Sequence, residues 1–159
     1  KAVGTEAMRR FLQAQQTAVE GAPGALERLV ALGLAYVRFA AEEPNAFALV
    51  FDAQLCPPGA PNEETAPLIA ANEQLLRDCV AAALADGALG PADPEALGAA
   101  LWGTVHGLAQ LVMAGHLPLA VVEPALQALL GSATQGKTGP GPSATTPRAT
   151  TPRARPAKP

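Results

Sequence analysis

Apolar residues recur every three to four positions along six stretches of the chain, the period of an α-helix with one buried face. Residues 5–20 place Met8, Phe11, Leu12 and Val19 on roughly one side before Gly21-Ala-Pro-Gly24 interrupts the pattern. In residues 25–42 the charges Glu27, Arg38 and Glu42 share one narrow arc. Leu26, Leu29, Val30, Leu34, Val37 and Ala40 fill the rest, so this helix is expected to be packed on several sides. Glu43-Pro44 ends it, because the residue before proline avoids the helical region. Residues 45–51 form a short helix with Phe47 and Phe51 four apart, and the run from Cys56 to Pro61 reads as loop. Residues 67–86 carry a stripe of Leu68, Ile69, Leu76, Cys79, Val80, Ala83 and Leu84, with Asn72 projecting into its middle.

Asp93-Pro94-Glu95 has the chemistry of a helix start: a capping acid, proline at the first position and an acid on the positive end of the dipole. That helix is expected over 93–115. A last one over 121–130 brings Val122, Leu126, Leu129 and Leu130 to one face before Gly131. No stretch alternates with the period of a strand. The expected fold is therefore all-α, an antiparallel bundle of about six helices over residues 1–131. Residues 132–159 differ in kind: Ala144-Thr-Thr-Pro-Arg148 repeats as Ala149-Thr-Thr-Pro-Arg153, and the segment reads as a disordered, basic Pro/Thr-rich tail.

Composition sharpens this picture. With one Trp, one Tyr and four Phe, the core must consist mainly of Ala, Leu and Val, which suits closely packed helices. Residues 1–136 carry six basic side chains against fourteen acidic ones, whereas the tail carries five basic ones and no acid. An acidic body repels phosphate, so no nucleic-acid binding is expected from it alone. Cys56 and Cys79 form no framework and are expected as reduced thiols in a cytoplasmic protein. The chain begins inside a helix without Met, as a fragment of something longer would. Cys56, Cys79, His106 and His116 are spaced unlike a zinc site, and no nucleophile elbow, phosphate loop or apolar carboxylate pair is present. Neither a metal, a cofactor nor catalysis is expected.

The stretch from Ala96 to Val122 has no charged side chain. It is long enough to span a membrane, but Gly98, Gly103, Thr104, Gly107 and Gln110 dilute its hydropathy and its flanks are acidic. Cover by a second subunit is the expected alternative, with Gly103 and Gly107 permitting close approach of another helix. Gly103, Gly107, Gln110, Val122, Leu126 and Leu129 make up the expected dimer interface.

The same helix carries Trp102 and His106, four apart on one face. The segment Leu101-Trp-Gly-Thr-Val-His-Gly-Leu-Ala-Gln-Leu111 resembles the Trp-x-x-x-His-Gly signature of one branch of the TetR-family regulators, in the domain that follows the DNA-binding head. The segment Leu32-Gly-Leu-Ala-Tyr-Val-Arg-Phe-Ala-Ala-Glu-Glu-Pro-Asn-Ala-Phe47 is similar to that family's Tyr-x-x-Phe-Ala-x-x-x-Pro helix. The resemblance covers about residues 1–131. It implies the effector-binding and dimerisation domain of a bacterial repressor that dimerises through its last two helices and releases DNA when a lipophilic effector enters the core. The family's helix-turn-helix has no counterpart upstream of Thr5, so operator DNA is expected to be reached only through a head outside this sequence.

Within that frame, Phe47, Phe51, Tyr36 and Phe39 are expected to line the effector cavity. His106 either orients the effector or is a core histidine satisfied by a backbone carbonyl. Trp102 reads as core or dimer packing before pocket wall. Asn72 is either a pocket donor or a group pairing across helices. A helical interaction module without a cavity is the competing reading.

Overall fold

The computed structural model describes residues 2–54 and 57–135. Six α-helices and one 3-10 turn make up the described residues, with no strand among them: α1 (Ala2–Glu20), α2 (Ala25–Glu42), α3 (Pro44–Val50), α4 (Ala66–Ala85), α5 (Pro94–Met113), the 3-10 turn Leu119–Val121, and α6 (Val122–Gln135). The expected antiparallel all-α bundle is what forms. Cys56 and most of the basic tail lie outside the described residues.

Local chemistry sets the helix boundaries. The Asp93 carboxylate accepts the Ala96 N–H at 3.1 Å, capping α5, and Pro94 occupies a first-turn position where a missing N–H costs nothing. At the other end Gly115 takes φ +76°, and the Gly115 and His116 N–H groups return to the Val112 and Leu111 carbonyls at 3.0 and 2.9 Å. This is the paired Schellman closure that a left-handed residue permits. Gly131 was expected to end α6, yet the helix continues to Gln135. Gly131 is not among the residues with positive φ, so it lowers helix propensity without reversing the backbone.

α2 is the axis of the bundle, packed against every other helix. Ten of its residues are buried, with Val37 and Ala40 wholly so, while Glu27, Arg38 and Glu42 stay exposed on the arc that the sequence marks out. Where α2 crosses α5 and α6, glycine is required for contact. A Cβ on Gly33 would lie 2.8 Å from Leu126 Cδ1 and 3.0 Å from Val105 Cγ1. The α6 stripe Val122, Leu126 and Leu130 turns inward at this crossing, each at most 3% exposed. Val122 and Leu126 therefore belong to the chain's own core and not to a partner-facing surface, a correction to the expectation above. The stripe serves whichever apolar surface lies nearest, and that surface is α2.

Gly33→Val tests this three-helix contact. Both branched methyls would have to displace buried side chains, and chemical denaturation is expected to show a loss on the order of 2 kcal/mol. Unchanged stability would mean that the crossing is loose.

Candidate functional site

Every Phe and Tyr ring of this aromatic-poor chain converges on one place. Phe11 of α1 lies 5.1 Å from Tyr36, 5.2 Å from Phe39, 6.1 Å from Phe47 and 6.3 Å from Phe51, all with steeply inclined ring planes. Such edge-to-face arrangements align positive ring edges with negative faces. Pro44 starts α3, whose geometry sets Phe47 against Phe51, the residue just beyond its end, at 4.9 Å. From α5, His106 enters the same group, 5.1 Å from Phe51 and stacked at 28° on Phe47.

A chain of hydrogen bonds runs along one side of these rings. Tyr36 Oη lies 2.8 Å from His106 Nδ1, and the Trp102 indole N–H donates to the same oxygen. His106 Nε2 faces the Gln110 side-chain amide at 3.4 Å. Trp102, His106 and Gln110 follow one another at intervals of four along α5 and so form one row. Burial pushes the Tyr36 hydroxyl far above its ordinary range, opposed only in part by the Trp102 hydrogen bond, so it stays protonated. His106 is thus satisfied by a tyrosine hydroxyl rather than a backbone carbonyl.

The residues named from sequence separate into groups. Tyr36, Phe39 and Phe47 are buried in the cluster, with His106 partly exposed and Phe51 38% exposed at its edge. Trp102 is 53% exposed, so it is not a core residue. Among the described residues Asn72 on α4 shares no ring contact or hydrogen bond with the cluster, and its buried Nδ2 has no hydrogen-bond partner. Cys79 is buried, and that burial pushes its thiol pKa up and keeps it unreactive. Phe11, which touches all four of the other Phe and Tyr rings, is legible in the sequence only as part of a helix stripe.

α5 is divided between two environments. Val105 and Ala109 are buried, yet only 17% of its apolar window is covered by the rest of the chain. Gly103, Gly107, Gln110 and Leu111 face outward, and a Cβ on either glycine would meet nothing within 4 Å. Leu129 of α6 is also exposed, at 46%. Beside α5, a groove of about 340 Å³ is lined by Leu97, Ala100, Leu101, Thr104, Leu129 and Leu130 together with the α4–α5 connection.

Residues 29–135 match the family described as "Tetracyclin repressor-like, C-terminal domain", over well more than half of the chain. The chain belongs to that family. A solved structure of a protein of unknown function from Rhodococcus sp. RHA1 is also similar, with a TM-score of 0.71 and 30% sequence identity over 85% of this chain and 69% of that one. No curated protein matches.

Two outcomes follow for the cluster and for Asn72. Folding raises the Tyr36 pKa above the unfolded value near 10, so its contribution is complete below about pH 10 and is lost as pH climbs toward the folded value. Denaturant melts are expected to show an alkaline decline that is shallower in Tyr36→Phe, where only the buried Cys79 thiol still contributes to it, and equal declines in both proteins would dissociate it from this hydroxyl. Asn72→Leu removes a buried amide nitrogen with no partner among the described residues and puts an apolar side chain of similar size in its place. It is expected to raise stability by about 1 kcal/mol by calorimetry. A loss of similar size would reveal a partner for the amide.

Proposed function

We infer that this domain is the effector-sensing and dimerisation part of a bacterial transcriptional repressor, with two copies joined through the outer faces of α5 and α6. The uncharged outer face of α5 carries this reading. No side chain from Ala96 to Val122 bears a charge, and few of the helix's residues are buried within the chain. Trp102, Leu111, Val121 and Leu129, four of the large exposed apolar side chains, lie on these two helices and the turn before α6. An apolar surface of this extent favours cover. A second copy supplies the same smooth face, with Gly103 and Gly107 letting backbones approach closely.

α5 is also long and apolar enough to cross a membrane, with a mean hydropathy of 1.3. Its packing against α2 and α4, and the Arg77–Glu95 contact at 3.6 Å across its first turn, favour a helix seated in a soluble bundle. Switching would follow from linkage: an effector that binds one arrangement of the dimer more tightly shifts the population toward it. Operator DNA would be contacted through a helix-turn-helix N-terminal to this domain.

A second reading, a helical interaction module with no effector cavity, draws support from the rings themselves. Phe11, Tyr36, Phe47 and Phe51 touch one another, so the interior of the cluster is filled by its own side chains.

Sedimentation at micromolar concentration separates the readings of α5. The chain is expected to be a dimer, and Gly107→Arg a monomer of unchanged helicity, since the new side chain meets only open space within its own subunit. A wild-type monomer, or a Gly107→Arg dimer, would refute this interface. Lipophilic compounds are expected to raise the melting temperature of the wild type if it senses an effector. Uniform failure across such compounds would favour the interaction module.

A further inference from the structure

Tyr36 is only 4% exposed, so both the oxygen and the proton of its hydroxyl need partners inside the protein. Its oxygen accepts the Trp102 indole N–H. Its proton needs an acceptor, and His106 Nδ1, at 2.8 Å, is the group in position. A neutral imidazole whose Nδ1 accepts must carry its proton on Nε2. That Nε2–H is poorly used: its neighbour is the Gln110 amide at 3.4 Å, at the long end of hydrogen bonding and through the amide nitrogen as placed. Rotating the amide would offer an oxygen at the same length, still a weak acceptor.

The surroundings of this donor define what would use it. Phe47 stacks on the imidazole and Phe51 stands 5.1 Å away with 38% of its surface exposed. Trp102, half exposed, is the preceding residue in the same row. A ligand reaching Nε2 would therefore contact rings while leaving the filled interior of the cluster intact. Neither α3 nor α5 beyond Glu95 carries a charged side chain, and Asp52 beside Phe51 is an acid that accepts the Gln54 N–H, so an anionic ligand would lose water here without gaining a counter-charge.

We propose that His106 Nε2–H is the specificity-determining donor of an edge site formed with Phe51, which takes an uncharged, flat lipophilic molecule bearing an acceptor oxygen such as a ketone. This rests on the effector-sensing reading and narrows it. Trp102 and Tyr36 act as positioning residues, holding the imidazole in the tautomer that turns its proton outward. Because Trp102 also belongs to the exposed side of α5, occupancy of the edge site would be felt at the face assigned to the second copy.

The test uses the full chain, nitrogen-labelled, with acetophenone as probe and cumene as its carbonyl-free counterpart of similar shape. The chain has one Trp and two His, so the indole signal reports on the site directly and the imidazole signals are readily assigned. Long-range proton–nitrogen correlation spectra are expected to show His106 as the Nε2–H tautomer. Titrations followed on the Trp102 indole signal are expected to give about tenfold tighter binding of acetophenone than of cumene. In His106→Phe, which keeps a ring but removes the donor, that ratio falls to about one. Tyr36→Phe, which removes the hydroxyl but preserves the packing, is expected to lose the tautomer preference and most of the ratio. An Nδ1–H tautomer, equal affinities in the wild type, no binding of acetophenone, or a ratio that survives in His106→Phe would each overturn the proposal. A dimer stabilised by other lipophilic compounds but indifferent to the carbonyl would leave the function proposed above standing while this inference fell.

Discussion

A helix can be surrounded on nearly all sides only if almost nothing on it needs water, and the rest of this fold depends on α2 meeting that condition. Its four charges, Glu27, Arg28, Arg38 and Glu42, all stay on its exposed side, so five other helices can be laid against the rest. At Gly33 the absence of a side chain admits Val105 from α5 and Leu126 from α6 together. That crossing uses up the apolar stripe of α6. It also fixes the rotation of α5, which buries Val105 and Ala109 and turns Gly103 and Gly107 outward. The open face of α5 is thus the reverse side of the contact that builds the core.

The same geometry brings the aromatic residues together. Their rings come from α1, α2, α3 and the residue just after α3, and meet beside α5 because α2 touches all of these elements. A cluster of Phe rings alone would be ordinary core. What distinguishes this one is the polar row along its edge: a buried hydroxyl whose needs are met by an imidazole and an indole, both themselves partly in contact with solvent. Interior packing and surface are therefore joined by directional bonds.

The periodicity of apolar positions and the local signals at Pro44, Asp93 and Gly115 made the helices legible, because capping and turn chemistry act over a few residues. The uncharged stretch of α5 likewise announced a need for cover, since charge content does not depend on context. Less was legible at the site. Tyr36, Phe47, Phe51 and His106 were identified in advance and do meet, whereas Phe11 was assigned to a plain core stripe. Its position in the middle of the rings depends on how α1 lies on α2, which no local pattern encodes. The scarcity of aromatics was the one available clue: few rings in a chain of small aliphatic residues gain most by packing with one another.

The sequence alone therefore determined the all-helical class, the helix boundaries near Pro44, Asp93 and Gly115, the arc of α2 left to solvent, and the absence of charge along α5. Each of these is set by residues within one or two helical turns of one another. Only the tertiary structure decided which apolar surface was spent inside the chain and which was left over. Val122 and Leu126 went to α2, while Trp102, Leu111 and Leu129 remained outside. It also decided that His106 would meet a tyrosine seventy residues away in sequence rather than a carbonyl nearby. A hydrophobic stripe records that burial is favourable but not the surface against which it occurs, and a hydrogen-bonding side chain does not record its partner.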